Sequence, residues 1–286
     1  MDVNVTINTH NELGNDSTSK GFTLQLFYSK TTFQITFTCV IFTIAFFGCI
    51  GNLATIVKIV YDPKYHTPTF AAIGQLALAD FLSVTFTTIV RMTNISDIDR
   101  LPIVLLMTTS ALSSYSHVCF LSVVRYLITV FPLQSRQHLT VTAMCLCSLT
   151  IWISCGVFTA ILKYTADTAG LIYMMTIYLI ANVFILLIVC SIMTILHVKK
   201  IRTLQNSLSV TDQSRRRMNI VVAMILSIFV LYELSVTANF IMVLFFNQQV
   251  SNELYYHVKN LDYFNIFTAC INYSCNPYIL FFSQFI

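Results

Sequence analysis

Two acidic side chains stand inside stretches of the sequence that are otherwise almost wholly apolar. Asp80 ends the segment LALAD, and Glu233 lies within FVLYELS. An ionised side chain at the centre of a hydrocarbon layer costs roughly 2.5 to 3.5 kcal/mol on insertion scales. Each acid must therefore find hydrogen-bond partners, a proton or a cation inside the protein.

Three asparagines are candidates for partners of Asp80. Asn52 follows a glycine in the first apolar stretch, and Asn272 and Asn276 belong to NYSCNP in the last one. Amides buried in hydrocarbon also seek hydrogen bonds between helices. The set is consistent with a cation site, and equally with a polar clasp that only holds helices together.

The composition shows which elements must position these groups. The chain has 286 residues, of which 56% are hydrophobic and only 10% charged, against about 25% charged in ordinary soluble domains. A helix needs about 20 mainly apolar residues to cross a bilayer. We predict seven such spans, at 33–60, 70–91, 103–130, 139–162, 171–198, 218–246 and 258–282. This predicts an all-α membrane protein, with a seven-helix bundle at 31–286 after a polar tail at 1–30.

The distribution of cations predicts the orientation. With the N-terminus outside, ten of the sixteen lysines and arginines are cytoplasmic or at that boundary, and six are outside, in the direction of the positive-inside rule. Acceptor sequences for N-glycosylation occur at Asn4, Asn15 and Asn94 on the predicted outer side. We therefore expect a multi-pass plasma-membrane protein whose tail is extracellular and glycosylated at Asn4 or Asn15.

Other classes of site and partner are disfavoured by the pattern. The cations lie in short loops instead of forming one basic stripe, so no nucleic acid is expected as a partner. The nine cysteines fall inside apolar runs, and the six histidines lack paired ligand spacing. We expect membrane lipid around the chain and no metal site.

Five short motifs recur in the order and spacing of a known family. They are GN at 51–52, LALAD at 76–80, SVVRYLITVFPL at 122–133, Trp152, and NP at 276–277. Together they resemble rhodopsin-like (class A) G-protein-coupled receptors, and invertebrate neuropeptide receptors most of all. The resemblance implies an antiparallel seven-helix bundle with an outer ligand pocket, an inner surface for a heterotrimeric G protein, and no enzymatic activity.

The same resemblance implies roles for residues at the cytoplasmic side. Arg125, followed by Tyr126, matches the arginine that docks into the G protein. Val124 stands where the family has an acid, and Arg215 lies near the foot of the sixth span where many relatives have glutamate. Neither familiar ionic restraint on Arg125 is present, so we expect appreciable signalling without ligand.

A sodium ion is the cofactor that the resemblance allows. The matching ligands, from the second, third and seventh helices, are Asp80, Ser114, Asn272 and Asn276. Asn52 would belong to the same polar network. Glu233 replaces a family tryptophan just above that site, and it is either protonated or shares the ion and a proton with Asp80; we expect sharing.

The ligand class follows by elimination. Met107 stands where amine receptors carry aspartate, and Cys270 where opsins carry lysine. A peptide is the first choice, and a lipid, an odorant-like small molecule or no ligand at all are the alternatives. The predicted outer acids that would suit a cationic peptide are Asp97, Asp99, Asp167, Glu253 and Asp262. A different interpretation is a seven-helix transporter or intramembrane enzyme using Asp80 and Glu233, although seven glycines and one intramembrane proline supply few helix breaks.

The predicted orientation has a direct test. Glycosidase treatment should shift the electrophoretic band of the wild type, and replacing both Asn4 and Asn15 by Gln should remove that shift. An N-terminal epitope should be labelled on intact cells. Labelling that requires permeabilised cells would overturn the orientation and the receptor interpretation with it.

Overall fold

The computed structural model describes residues 15–92, 97–168, 171–205, 212–246 and 252–285. Within these ranges the backbone is helical apart from short connections, and no strand occurs. The helices are α1 (Asn15–Tyr61), α2 (Pro68–Met92), α3 (Asp97–Val130), α4 (Pro132–His138), α5 (Val141–Thr168), α6 (Leu171–Gln205), α7 (Asp212–Phe246) and α8 (Asn252–Phe285).

The chain divides into two compact units, Met1–Phe42 and Thr43–Ile286. The described part of the first unit, 15–42, is helical and belongs to α1. The second unit contains α2 to α8 and the candidate sites. Asn4 lies outside the described residues, and the side chain of Asn15 does as well, so the glycosylation sites stay predictions.

Among the described residues, six helices are long and apolar enough to cross a membrane. These spans are Gln34–Tyr61, Pro68–Val90, Pro102–Val130, Val141–Thr168, Tyr173–Thr203 and Ala223–Leu244. α8 has 34 residues but is less apolar, because it buries Asn265, Asn272 and Asn276 in the bundle. With α8 as the seventh, the all-α bundle is confirmed.

Helix ends differ more from prediction than helix centres do. α5 continues to Thr168, beyond the predicted end at 162, and Lys163 and Asp167 form an ion pair one turn apart on this extension. Such pairs stabilise helices outside hydrocarbon. α6 continues to Gln205, into a segment predicted as loop, because hydropathy detects only the part of a helix that lies in lipid.

The distribution of side chains is inverted relative to a soluble protein. Large apolar side chains such as Phe46, Ile153 and Phe184 are exposed, whereas Asn52 and Asp80 are fully buried. An exposed apolar surface of this extent is unstable in water and suits hydrocarbon. Polar groups are therefore directed inward, where hydrogen bonds satisfy them.

α3 lies at the centre of the bundle, in contact with α2, α5 and α6, while α8 packs against α2 and α7. α1 and α8 approach closely at two glycines. Tyr278 donates a hydrogen bond to the carbonyl oxygen of Phe47 at 2.8 Å, and its ring lies 3.0 Å from the position of a Cβ atom on Gly51. A Cβ on Gly48 would overlap the side chain of Ser274. Small residues permit this contact between helix backbones.

Gly48→Ala should therefore lower the melting temperature of the purified protein. Overpacking of this kind costs roughly 1 to 3 kcal/mol, and the added Ser274→Gly should restore part of the loss. Gly156→Ala is the matched control, since its Cβ would be 3.9 Å from Thr109, an ordinary contact. Equal melting temperatures for the two alanine variants would contradict this packing.

Candidate ligand and ion sites

Asp80 joins three helices through one carboxyl group. It is fully buried on α2. The hydroxyl of Ser114 on α3 donates to Oδ1 at 2.5 Å, and Nδ2 of Asn276 on α8 donates to Oδ2 at 2.8 Å. Both oxygens accept a hydrogen bond from the protein, as a buried carboxyl group in a region without water requires.

The other two predicted members of this set lie on α1 and α8. Asn52 donates through Nδ2 to the carbonyl oxygens of Gly48 and Tyr273, each at 3.0 Å. Its Oδ1 atom is buried and has no hydrogen-bond partner in the described part of the chain. Asn272 is buried on α8, four residues before Asn276. The structure thus brings Asp80, Ser114 and Asn276 into direct contact, with Asn52 bonded to the same helix as Asn276.

Glu233 is also buried, at 1% exposure on α7, but its partners are different. Nδ2 of Asn182 donates to the backbone carbonyl oxygen of Glu233 at 3.5 Å and to the hydroxyl of Thr237 at 3.0 Å. Its Oε2 atom has no hydrogen-bond partner among the described residues. The carbonyl oxygen of Glu233 accepts from Thr237 at 2.8 Å. Separate networks therefore hold Glu233 and Asp80.

A cluster of aromatic side chains lies beside Glu233. The hydroxyl groups of Tyr115 and Tyr273 are 2.9 Å apart, and Phe229 packs edge-on against Tyr115 with ring centroids 5.1 Å apart. Tyr232 meets Tyr273 edge-on at 6.0 Å. Sequence reasoning missed these tyrosines, although Tyr115 directly follows Ser114 and Tyr232 directly precedes Glu233.

A cavity of about 420 Å³ opens between α3, α5, α6 and α7, and it is here called the large cavity to distinguish it from the cavity beside Arg125. Another cavity of similar volume, about 430 Å³, lies between α2 and α5. The lining of the large cavity is mainly apolar, and it is formed by Val104, Thr108, Ala111, Leu112, Tyr115, Phe158, Thr159, Leu162, Lys163, Met174, Met175, Tyr178, Ala181, Asn182, Ile185, Tyr232, Glu233 and Phe240. Two lining residues bear ionisable groups of opposite charge, Lys163 and Glu233. Lys163 forms an ion pair with Asp167. Glu233 forms no ion pair with any residue in the described part of the chain.

Arg125 borders a second, small cavity of about 40 Å³ near the other end of α3. The small cavity is lined by Leu76, Val118, Leu121, Ser122, Arg125, Met193, Leu196, His197, Lys200 and Ile225. No carboxylate occurs in this lining, and Lys200 adds a second cation. Val124 is 1% exposed, and the neighbouring Tyr126 packs edge-on against Phe131 at 6.2 Å.

The arrangement therefore consists of a ligand-sized cavity, a buried carboxyl group that ties three helices together, and a basic cavity further along α3. A family model described as 7 transmembrane receptor (rhodopsin family) matches residues 51–280. No curated protein gives a significant match to the sequence. Members of the matched family are multi-pass membrane proteins that transduce signals, and they are typically not enzymes. The match covers most of the chain, including Asp80, Arg125 and Glu233, and the protein therefore belongs to the rhodopsin family of seven-transmembrane receptors.

Proposed function

We propose that this receptor binds an extracellular peptide in the large cavity and activates a heterotrimeric G protein through Arg125 and Tyr126. The observation that carries the proposal is the course of α3. Thr108 and Tyr115 line the large cavity, and Arg125 lines the small cavity further along the same helix. A helix is stiff over this length, so a displacement of α3 at one cavity also moves its residues at the other.

The predicted orientation supports an extracellular ligand. The N-terminal half of α3 and the C-terminal end of α5 form the large cavity, and both face outward if the N-terminus is extracellular. A volume of about 420 Å³ is within the usual range for ligand pockets and would admit one or two side chains of a peptide.

The surroundings of Arg125 support coupling to an anionic protein surface. Like charges repel at close range, and Lys200 shares the small cavity with Arg125. Val124 cannot form the ion pair that an acid at its position would make. Arg125 is therefore available to an acidic or carbonyl-rich partner. Without ligand, no ion pair with position 124 restrains it.

We also propose that the Asp80 cluster binds a sodium ion. Hard cations bind oxygen ligands, and the carboxyl group of Asp80 and the hydroxyl of Ser114 are buried side by side. Asn52, which is bonded to α8 through the carbonyl oxygen of Tyr273, would add the amide oxygen Oδ1, which has no partner among the described residues. Bound sodium would supply a positive charge that offsets Asp80. Because Glu233 has separate partners, we assign the ion to Asp80 without a shared proton.

The coupling role of Arg125 has a matched test in Val124. Val124→Asp should lower ligand-free nucleotide exchange on the G protein several-fold, because the new acid can pair with Arg125, whereas the neutral, similarly sized Val124→Asn should lower it less. Arg125→Ala should abolish exchange. Unchanged exchange in both Val124→Asp and Arg125→Ala, at equal surface expression, would remove this mechanism.

The sodium proposal is tested by exchanging sodium for potassium at constant ionic strength. Sodium should raise the melting temperature of the wild type more than potassium does, and Asp80→Asn should weaken sodium binding roughly tenfold or more, which corresponds to about 1.4 kcal/mol. Glu233→Gln should keep the sodium response. Loss of the response in Glu233→Gln would show that the two acids share the ion, and a wild type indifferent to sodium would exclude the site.

A further inference from the structure

One buried oxygen in the large cavity has no partner in the described part of the chain. Glu233 is 1% exposed and lines the large cavity. Asn182 donates to the backbone carbonyl oxygen of Glu233, whereas the side-chain Oε2 atom has no hydrogen-bond partner there. A buried polar atom left unpaired destabilises the protein, and more so if it is charged. A ligand group that binds Oε2 would recover this free energy.

Asp80 provides an internal comparison. It is as deeply buried as Glu233, yet each of its oxygens accepts a hydrogen bond from a side chain of the bundle. Asp80 also lines neither the large nor the small cavity. The bundle therefore gives each oxygen of Asp80 a hydrogen bond, whereas Oε2 of Glu233, a residue of the cavity lining, has none among the described residues.

The charge balance of the large cavity favours a cation at this position. Lys163, the cation in the lining, is already paired with Asp167, which is outside the lining. The remaining polar lining groups are hydroxyls and the amide of Asn182, which carry no net charge. An anionic ligand would meet Glu233 with like charge, whereas a cationic ligand would neutralise it.

The aromatic lining points to an organic cation instead of a metal ion. Five aromatic rings line the large cavity, those of Tyr115, Phe158, Tyr178, Tyr232 and Phe240. Tyr178 and Phe240 are stacked with centroids 6.2 Å apart and planes within 7°. Aromatic faces attract ammonium groups, most strongly when the cation is desolvated, and they also bury the apolar body of a ligand.

We infer that the large cavity recognises a protonated amine carried on an apolar or aromatic body, with the nitrogen bound to Oε2 of Glu233. This rests on the proposed receptor function and names the chemistry of its ligand. The amine is either that of a free small molecule or the amino group of a peptide. Sequence reasoning disfavoured amines because Met107 occupies the expected position on α3, but here the carboxyl group comes from α7.

The test uses the full chain in lipid nanodiscs, at fixed sodium and pH 7, with melting temperature as the readout. The probes are phenethylamine, its neutral analogue phenethyl alcohol, and the tetrapeptide amide Phe-Gly-Gly-Gly with a free or an acetylated N-terminus. Phenethylamine should bind at least tenfold more tightly than the alcohol. Glu233→Gln, which keeps the size and hydrogen-bonding capacity of the side chain, should remove this difference. Asp62→Asn, in a turn outside the cavity, should leave it unchanged.

The outcomes separate the two sources of the amine. Tighter binding of phenethylamine than of either peptide assigns the site to free small amines, and tighter binding of the peptide with a free N-terminus assigns it to peptides. The inference would be overturned if phenethylamine and the alcohol bound equally or if neither bound. It would also be overturned if Glu233→Gln kept the full preference for phenethylamine over the alcohol. Nucleotide exchange that depends on Arg125, measured in the same nanodiscs without probe, would then still stand as support for the receptor function.

Discussion

The burial of the Asp80 carboxyl group is the constraint on which the arrangement of the bundle depends. In hydrocarbon no water completes a hydrogen bond, so every donor to a buried carboxyl group must come from the protein. Ser114 and Asn276 can donate hydrogen bonds to Asp80 only if α3 and α8 have fixed axial positions relative to α2. Asn52 extends the same requirement to α1 through the carbonyl oxygen of Tyr273. Four helices are thereby held in one axial alignment.

This alignment determines what α3 can connect. Consecutive residues on a helix point about 100° apart, so Ser114 faces Asp80 while Tyr115 faces Tyr273 and the large cavity. A ligand that moves Tyr115 therefore also disturbs the hydroxyl next to it, and with it the Asp80 cluster. Further along the helix, Arg125 follows any rotation of this segment. Because Ser114 and Tyr115 are consecutive residues, one peptide bond joins the large cavity to the Asp80 cluster.

The sequence indicated the bundle, Asp80 and the asparagines because polar residues stand out in apolar runs, whereas Ser114 was indicated only by the family resemblance. Asp80, Ser114 and Asn276 were predicted to meet, and they do. The partners of Glu233 were not predictable in the same way. Asn182 lies in α6, which is apolar on nearly every face, since lipid and the bundle interior both favour apolar side chains, and no periodicity tells which face is inward. Helix ends were missed because helices continue past the hydrocarbon, as α5 and α6 do.

The two buried acids show how one kind of group serves two purposes in the same bundle. A carboxyl group whose oxygens are both hydrogen-bonded by the protein stabilises one packing of the helices, because any other packing would leave it unsatisfied. A carboxyl group with an open oxygen does the opposite, since it destabilises the empty protein and gains free energy when a ligand arrives. Sites of this second kind are where a functional demand outweighs local stability. Glu233 lies beside an aromatic cavity and away from the Asp80 cluster. Its unpartnered oxygen lowers the stability of the protein without ligand, and a ligand that binds this oxygen restores that stability, which makes binding selective.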